Sequence, residues 1–113
     1  MNTATQHNIA RIANLNDQLR KTGNCGQMMM TAGLQSLGED FVREAIASVR
    51  TFDRFTKDND PHGEHDFGSV EVCGNKVFWK IDYYDKEMEY GSEDPSDPDQ
   101  TSRVLTVMLA QEY

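Results

Sequence analysis

Apolar residues recur at Ile9, Ile12, Ala13, Leu15 and Leu19, the spacing of one helix face, and predict an amphipathic helix over residues 4–22. Gly23 follows Arg20 and Lys21 and suits a helix stop, because glycine tolerates the left-handed cap and the cations face the helix C-terminus. Gln27-Met28-Met29-Met30-Thr31 is short, unbranched and bracketed by Gly26 and Gly33, which predicts a buried strand. Ser36 and Glu39 have capping-box spacing and predict a helix start. That helix runs to about Phe55 and buries Val42, Ala45, Ile46, Val49 and Phe52. From Phe67 the pattern alternates, and Gly74-Asn75 reads as a two-residue hairpin turn. Counting outward from that turn pairs Val72 with Val77 and Val70 with Trp79, so Val70, Val72, Val77, Trp79, Ile81 and Tyr83 share the core face. Near the end, Asp97-Pro98-Asp99-Gln100 has the order of a helix cap and predicts a closing helix through Arg103–Leu109. The run Val104-Leu105-Thr106-Val107 makes a strand the competing assignment there.

These elements predict an α+β fold: a small three-stranded antiparallel sheet with two to three helices packed on one face. At 113 residues the chain is expected to form one domain, residues 1–113, with a single modest core. No apolar run approaches a membrane span, and the first residues lack the basic and apolar regions of a signal peptide. A cytoplasmic location is expected, with Cys25 and Cys73 as reduced thiols.

Charge changes the picture. The net charge is -8, and it divides as +2 over residues 1–57, -10 over 58–99 and zero over 100–113. Such a surface repels nucleic-acid phosphates and attracts cations or a basic protein surface. Direct nucleic-acid binding is therefore not expected. Residues 82–99 hold eight carboxylates and one lysine, interleaved with Tyr83, Tyr84, Met88 and Tyr90. Aromatic anchors rimmed by carboxylates suit a basic groove, and spaced carboxylates can imitate phosphates. On this reading Asp82, Tyr84, Asp85, Glu87, Glu89, Tyr90, Glu93 and Asp94 bind the partner. A solvated acidic loop is the plainer alternative. Phe78 and Tyr84 on the outer hairpin face also leave room for a homodimer.

The densest chemistry lies in Asn59-Asp60-Pro61-His62-Gly63-Glu64-His65-Asp66-Phe67-Gly68. His62, Glu64 and His65 supply ligand types suited to a divalent metal, and Glu64, His65 and Asp66 are the candidate catalytic groups of a hydrolase. The spacing matches no established metal motif, because a Pro/Gly loop does not hold two histidines on one face as a helix would. The plainer reading is a loop cross-linked by its own polar groups. Asp60 and Asp66 would accept backbone N–H bonds, and a histidine would bond a hairpin carboxylate.

This ten-residue stretch, with Phe78–Asp85, Ser92–Pro98, Arg103–Ala110 and Glu112-Tyr113, resembles the family known as domain of unknown function 3768. Asn16-Asp17-Gln18-Leu19-Arg20 and Thr31-Ala32-Gly33 resemble its N-terminal landmarks. The resemblance implies a small bacterial protein of plasmids and other mobile elements, and it carries no established activity. By analogy with acidic inhibitors from such elements, the expected function is a non-enzymatic interaction protein. Its specific form is an inhibitor or nucleic-acid mimic that acts on a bacterial defence system of the anti-CRISPR or anti-restriction kind. The alternative is a small metal-dependent hydrolase or nuclease that uses the His62/Glu64/His65/Asp66 loop. No cofactor is favoured on the first reading, and a divalent metal belongs to the second.

Overall fold

The computed structural model describes residues 3–113, and side chains from residue 6 onward. Helix α1 (Thr3–Thr22) leads to strand β1 (Gln27–Met30), a short helix α2 (Ala32–Gln35) and helix α3 (Glu39–Thr51). Strands β2 (Phe67–Val72), β3 (Asn75–Tyr84) and β4 (Ser102–Leu109) follow, and a 3₁₀ turn (Ala110–Glu112) closes the chain. The fold is α+β with one four-stranded sheet in the order β1-β4-β3-β2.

The sheet departs from three antiparallel strands, and β4 is the reason. Residues 103–109 form a strand and not the expected helix. The cap chemistry at Asp97 does form: Asp97 accepts the Asp99 N–H and the Gln100 side-chain amide at 2.9 and 2.8 Å. It closes a single turn, after which the β-branched run Val104, Thr106, Val107 extends between two strands. β4 pairs antiparallel with β3 and parallel with β1, so β1 joins the sheet as a parallel edge. Six of the eight β4 residues, Arg103, Val104, Leu105, Val107, Met108 and Leu109, are buried, as a central strand demands.

The hairpin turn sits one residue earlier than expected. Cys73 and Gly74, at φ 49° and 79°, take the two left-handed positions of a type I′ turn. Val70 therefore faces Val77, and Gly68 faces Trp79. This moves the pairing by two positions, so each side chain keeps its face and the predicted core face of β3 stands.

The expected cap at Ser36 is displaced. Thr31 caps α2 by accepting the Leu34 N–H, and the Ser36 hydroxyl donates to the Gly33 carbonyl. Helix α3 instead starts behind Gly38 at φ 101°, and it stops at Thr51 rather than near Phe55. The buried side of α3 is Phe41, Ala45 and Val49, while Val42 and Ile46 are only half-buried. Helices α1 and α3 cover one sheet face, where Leu19, Leu34, Phe41 and Val49 pack on Trp79, Ile81, Leu105 and Val107.

α1 ends as expected. The Gly23 N–H donates to the Leu19 carbonyl at 2.8 Å with Gly23 at φ 79°. Its buried face, however, is only partly apolar. Ala13 and Leu19 are buried, and between them lie Asn16 and Arg20, at 0% and 1% exposure. Polar side chains this deep need partners, and those partners define the site.

Candidate functional site

Arg20 meets the C-terminal end of α3. Its Nη1 donates to the carbonyls of Val49 and Phe52, both at 2.8 Å, and its Nη2 donates to Asp17 at 3.1 Å. A cation on a helix C-terminus satisfies carbonyls that have no partner within the helix. The guanidinium also lies over the Phe55 and Trp79 rings, 5.4 and 5.1 Å from their centroids.

Asp17 then reaches the central loop. His65 Nδ1 lies 3.0 Å from Asp17 Oδ1, and the His65 ring stacks on Phe55 at 3.9 Å. His65 adopts φ 56°, a region that L residues seldom occupy. Asp60 holds it there: this buried carboxylate accepts the N–H groups of Glu64 and His65 at 3.1 and 3.2 Å. His65 Nε2 is 3.9 Å from the same carboxylate. An open groove of about 570 Å³ passes over His65, with Ile9, Ala13, Asp60, His62 and Gly63 among its walls.

A second buried chain of bonds starts at Asn16. Its amide donates to the Glu64 carbonyl at 2.9 Å and to the Tyr83 hydroxyl at 2.8 Å. The Tyr83 hydroxyl in turn donates to Glu64 Oε1 at 2.9 Å. Burial, with the Glu64 carboxylate adding to it, raises the Tyr83 pKa far above the ordinary phenol value, so the hydroxyl stays a donor. Arg103 Nε donates to Asn16 Oδ1 at 2.9 Å, and its Nη2 donates to the Pro95 carbonyl. Burial first, then the Glu64 charge, also raises the Asp66 carboxyl above its usual range.

The structure thus separates the sequence-predicted site residues. Glu64 turns to Tyr83, His65 turns to Asp17, and His62 is exposed on the groove wall. Among the described residues, no three His, Cys, Asp or Glu side chains converge as a metal ion requires. Asp60 accepts backbone N–H groups as a loop clasp would. The carboxylate that meets His65 comes from α1 and not from the hairpin. Asn16, Asp17, Arg20, Phe55 and Arg103 were not foreseen as parts of this cluster. Their one signal in the sequence is a pair of polar residues, Asn16 and Arg20, set into an otherwise apolar helix face. Cys73 stands apart from this cluster: its thiol donates to Glu44 at 3.0 Å, and that bond raises its pKa.

Of the predicted partner-binding residues, Asp82 and Tyr84 lie on β3 and the other six on the turns after it. The Asp85 N–H donates to the Tyr90 carbonyl at 2.8 Å, and the Ser92 N–H donates to the Tyr83 carbonyl at 3.1 Å, which folds residues 85–92 back on the strand. Asp85 accepts the Glu89 N–H at 3.0 Å, and Asp94 accepts both the N–H and the hydroxyl of Ser96. Asp82 pairs with Lys80 at 2.9 Å. Asp82, Asp85 and Asp94 are therefore engaged within the chain, while Glu87, Glu89 and Glu93 are exposed and Tyr90 is 73% exposed. Asp85, Glu87, Tyr90, Glu93 and Asp99 line a concave surface of about 430 Å³. A third hollow, between β1 and α3 around Met30, Val42 and Ile46, carries none of this chemistry.

A family model described as protein of unknown function (DUF3768) matches residues 30–112. Comparison with the curated proteins finds no match, and comparison with the solved structures finds none either.

Proposed function

Because the chain belongs to the DUF3768 family, whose description assigns no activity, we propose its function from the site geometry: a non-enzymatic interaction protein whose acidic loop docks a basic protein surface. The observation that carries this reading is a pre-ordered loop with a free aromatic. Arg103 holds the Pro95 carbonyl, and backbone bonds fix residues 85–92, yet Tyr90 remains 73% exposed among Glu87, Glu89 and Glu93. An anchor held in place before binding loses little conformational entropy when it docks, and carboxylates around it steer a cationic partner. Within residues 59–68 the side chains of Asn59, Asp60, Glu64 and His65 are engaged in internal bonds, which supports a role for the loop as a clasp. In its specific form the partner is a nucleic-acid-binding bacterial defence complex, which the acidic loop occupies in place of phosphates.

The test is inhibition of DNA cleavage by a panel of bacterial restriction and RNA-guided nucleases, at about 0.05 and 0.5 M salt. The wild type is expected to inhibit at low salt. The Glu87→Gln/Glu89→Gln/Glu93→Gln variant is expected to lose that inhibition while keeping its fold. Inhibition that survives in the variant removes the loop from the mechanism, and silence across the panel rejects the mimic form.

A second reading, hydrolysis centred on His65, draws on the Asp17 contact, since a carboxylate on Nδ1 orients the ring and leaves Nε2 for acid–base work beside the groove. It requires that His65→Gln abolish an activity and leave salt-sensitive partner binding intact.

A further inference from the structure

The sheet has two faces, and the helices cover one of them. The other carries Met29 on β1, Phe67 on β2, Phe78, Lys80, Asp82 and Tyr84 on β3, and Val104, Thr106 and Met108 on the central strand β4, where Val104 and Met108 are buried among their neighbours, as the strand register dictates. None of these residues belongs to the core cluster beneath the helices. The closing turn reaches over part of this face. There Tyr113 lies edge-on to Phe67 and Phe78, with centroids 5.7 and 5.6 Å away, and is itself 74% exposed. Met29 is 56% exposed.

Charge separates this face from the rest of the molecule. The chain carries -8 overall. On the uncovered face each carboxylate has a cation beside it: Lys80 bonds Asp82 at 2.9 Å, and Lys76 stands directly opposite Glu71 across the hairpin. The face is therefore neutral and aromatic. Two copies brought together through their acidic loops would repel, while two copies meeting through this face bury no unpaired charge from its strands.

The four strands hold 4, 6, 10 and 8 residues, and at ~3.4 Å along and ~4.8 Å across per residue they cover on the order of 450 Å². The side chains that rise from the face, Met29 and Tyr113 above all, supply the further area that the ~800 Å² per partner of a standard interface requires.

We propose that the uncovered sheet face is a self-association surface, on which a second copy of this chain packs face to face about a two-fold axis. Aligned or orthogonal sheet packing brings such faces about 10 Å apart. The inference is independent of the acidic-loop reading, and a dimer of this kind would present two acidic loops to a partner.

Sedimentation velocity of the full chain from about 5 to 500 µM, at 0.05 and 0.5 M salt, tests it. A monomer–dimer equilibrium is expected that tightens as salt rises, because salt screens the repulsion between two -8 molecules and the face has no net charge to lose. Docking through the acidic loop weakens under the same change, so the two readings fail separately. Met29→Glu and Tyr113→Glu alter side chains that are mostly exposed, and a thermal melt checks that each variant folds. Each is expected to weaken the dimer at least tenfold, while the Glu87→Gln/Glu89→Gln/Glu93→Gln variant retains it. A chain that stays monomeric at 500 µM in both salts overturns the proposal, and so does a dimer that both glutamate variants leave unchanged.

Discussion

Gly68 shows how a single atom is excluded from this fold. It pairs with Trp79 across the hairpin, and a Cβ built there would lie 2.4 Å from Trp79 Nε1. Trp79 is fully buried between Arg20, Phe52 and Phe55, so the indole has nowhere to retreat. Gly68→Ala is expected to destabilise the protein by about 1–3 kcal/mol, the usual consequence of overpacking, read as a lower urea midpoint with an unchanged slope. The composition of the hairpin does not reveal this constraint. The alternating pattern from Phe67 does not single out Gly68, and its role depends on the residue it faces. The same holds for Asn16 and Arg20. Helical spacing places them on the buried side of α1, but whether a buried amide and a guanidinium are tolerable depends on three carbonyls and a phenol that arrive from residues 29 to 67 positions away.

At the scale of elements, the closing turn is tied to the first half of the chain by one carboxylate. Glu112 accepts the Thr31 hydroxyl at 2.6 Å, the Gly33 N–H at 3.1 Å and the Leu109 N–H at 3.0 Å. The Thr31 hydroxyl, with the Leu109 N–H, holds the Glu112 carboxyl below the ordinary glutamate range. A depressed acid stabilises the fold fully above its unfolded pKa and loses that contribution as pH falls through the folded value. Wild-type melting temperature is thus expected to fall as pH drops from about 5 toward 3. Glu112→Gln should lower the melt at pH 7 and narrow the gap to wild type as pH falls, since glutamine keeps acceptor geometry but not charge. Asp97 is also depressed, by Gln100 and the Asp99 N–H, so the difference between the two proteins is the informative quantity. Asp66, raised by burial, acts in the opposite sense and is common to both. A gap that stays constant with pH would show that Glu112 does not carry this linkage.

For the whole molecule, the distribution of charge decides more than its total. Residues 58–99 hold thirteen carboxylates and three lysines, and of the six exposed carboxylates among them four, Glu87, Glu89, Glu93 and Asp99, lie on the turns after β3. Self-repulsion of that kind opposes the compact state and is screened by salt, whereas the contacts of buried Arg20 with half-buried Asp17 and of Asp17 with His65 are screened less. At low micromolar concentration, where association does not contribute, the melting temperature is expected to rise by a few degrees between about 0.02 and 0.5 M salt. Differential scanning fluorimetry across that range checks it, and a falling temperature would mean that surface ion pairs outweigh the repulsion. Among the described residues, no helix is long and apolar enough to cross a membrane.

Periodicity determined α1, the α3 helix in outline and the core face of the hairpin, because each depends on spacing within one segment. Length and bracketing glycines marked the strand at Gln27–Met30, but it is a sheet edge with exposed and half-buried residues and not the buried strand expected. The charge map and the identity of the acidic loop were also legible, since composition needs no geometry. Tertiary structure alone decided β4. A strong helix cap at Asp97 and a β-branched run at Val104–Val107 compete locally, and the open edges of β3 and β1 settle the contest by pairing with that run on both sides. It also decided the fate of the histidine loop. His65 is three residues from His62 along the chain, yet its partner is Asp17, 48 positions away, because the distance between side chains is set by packing and not by sequence separation.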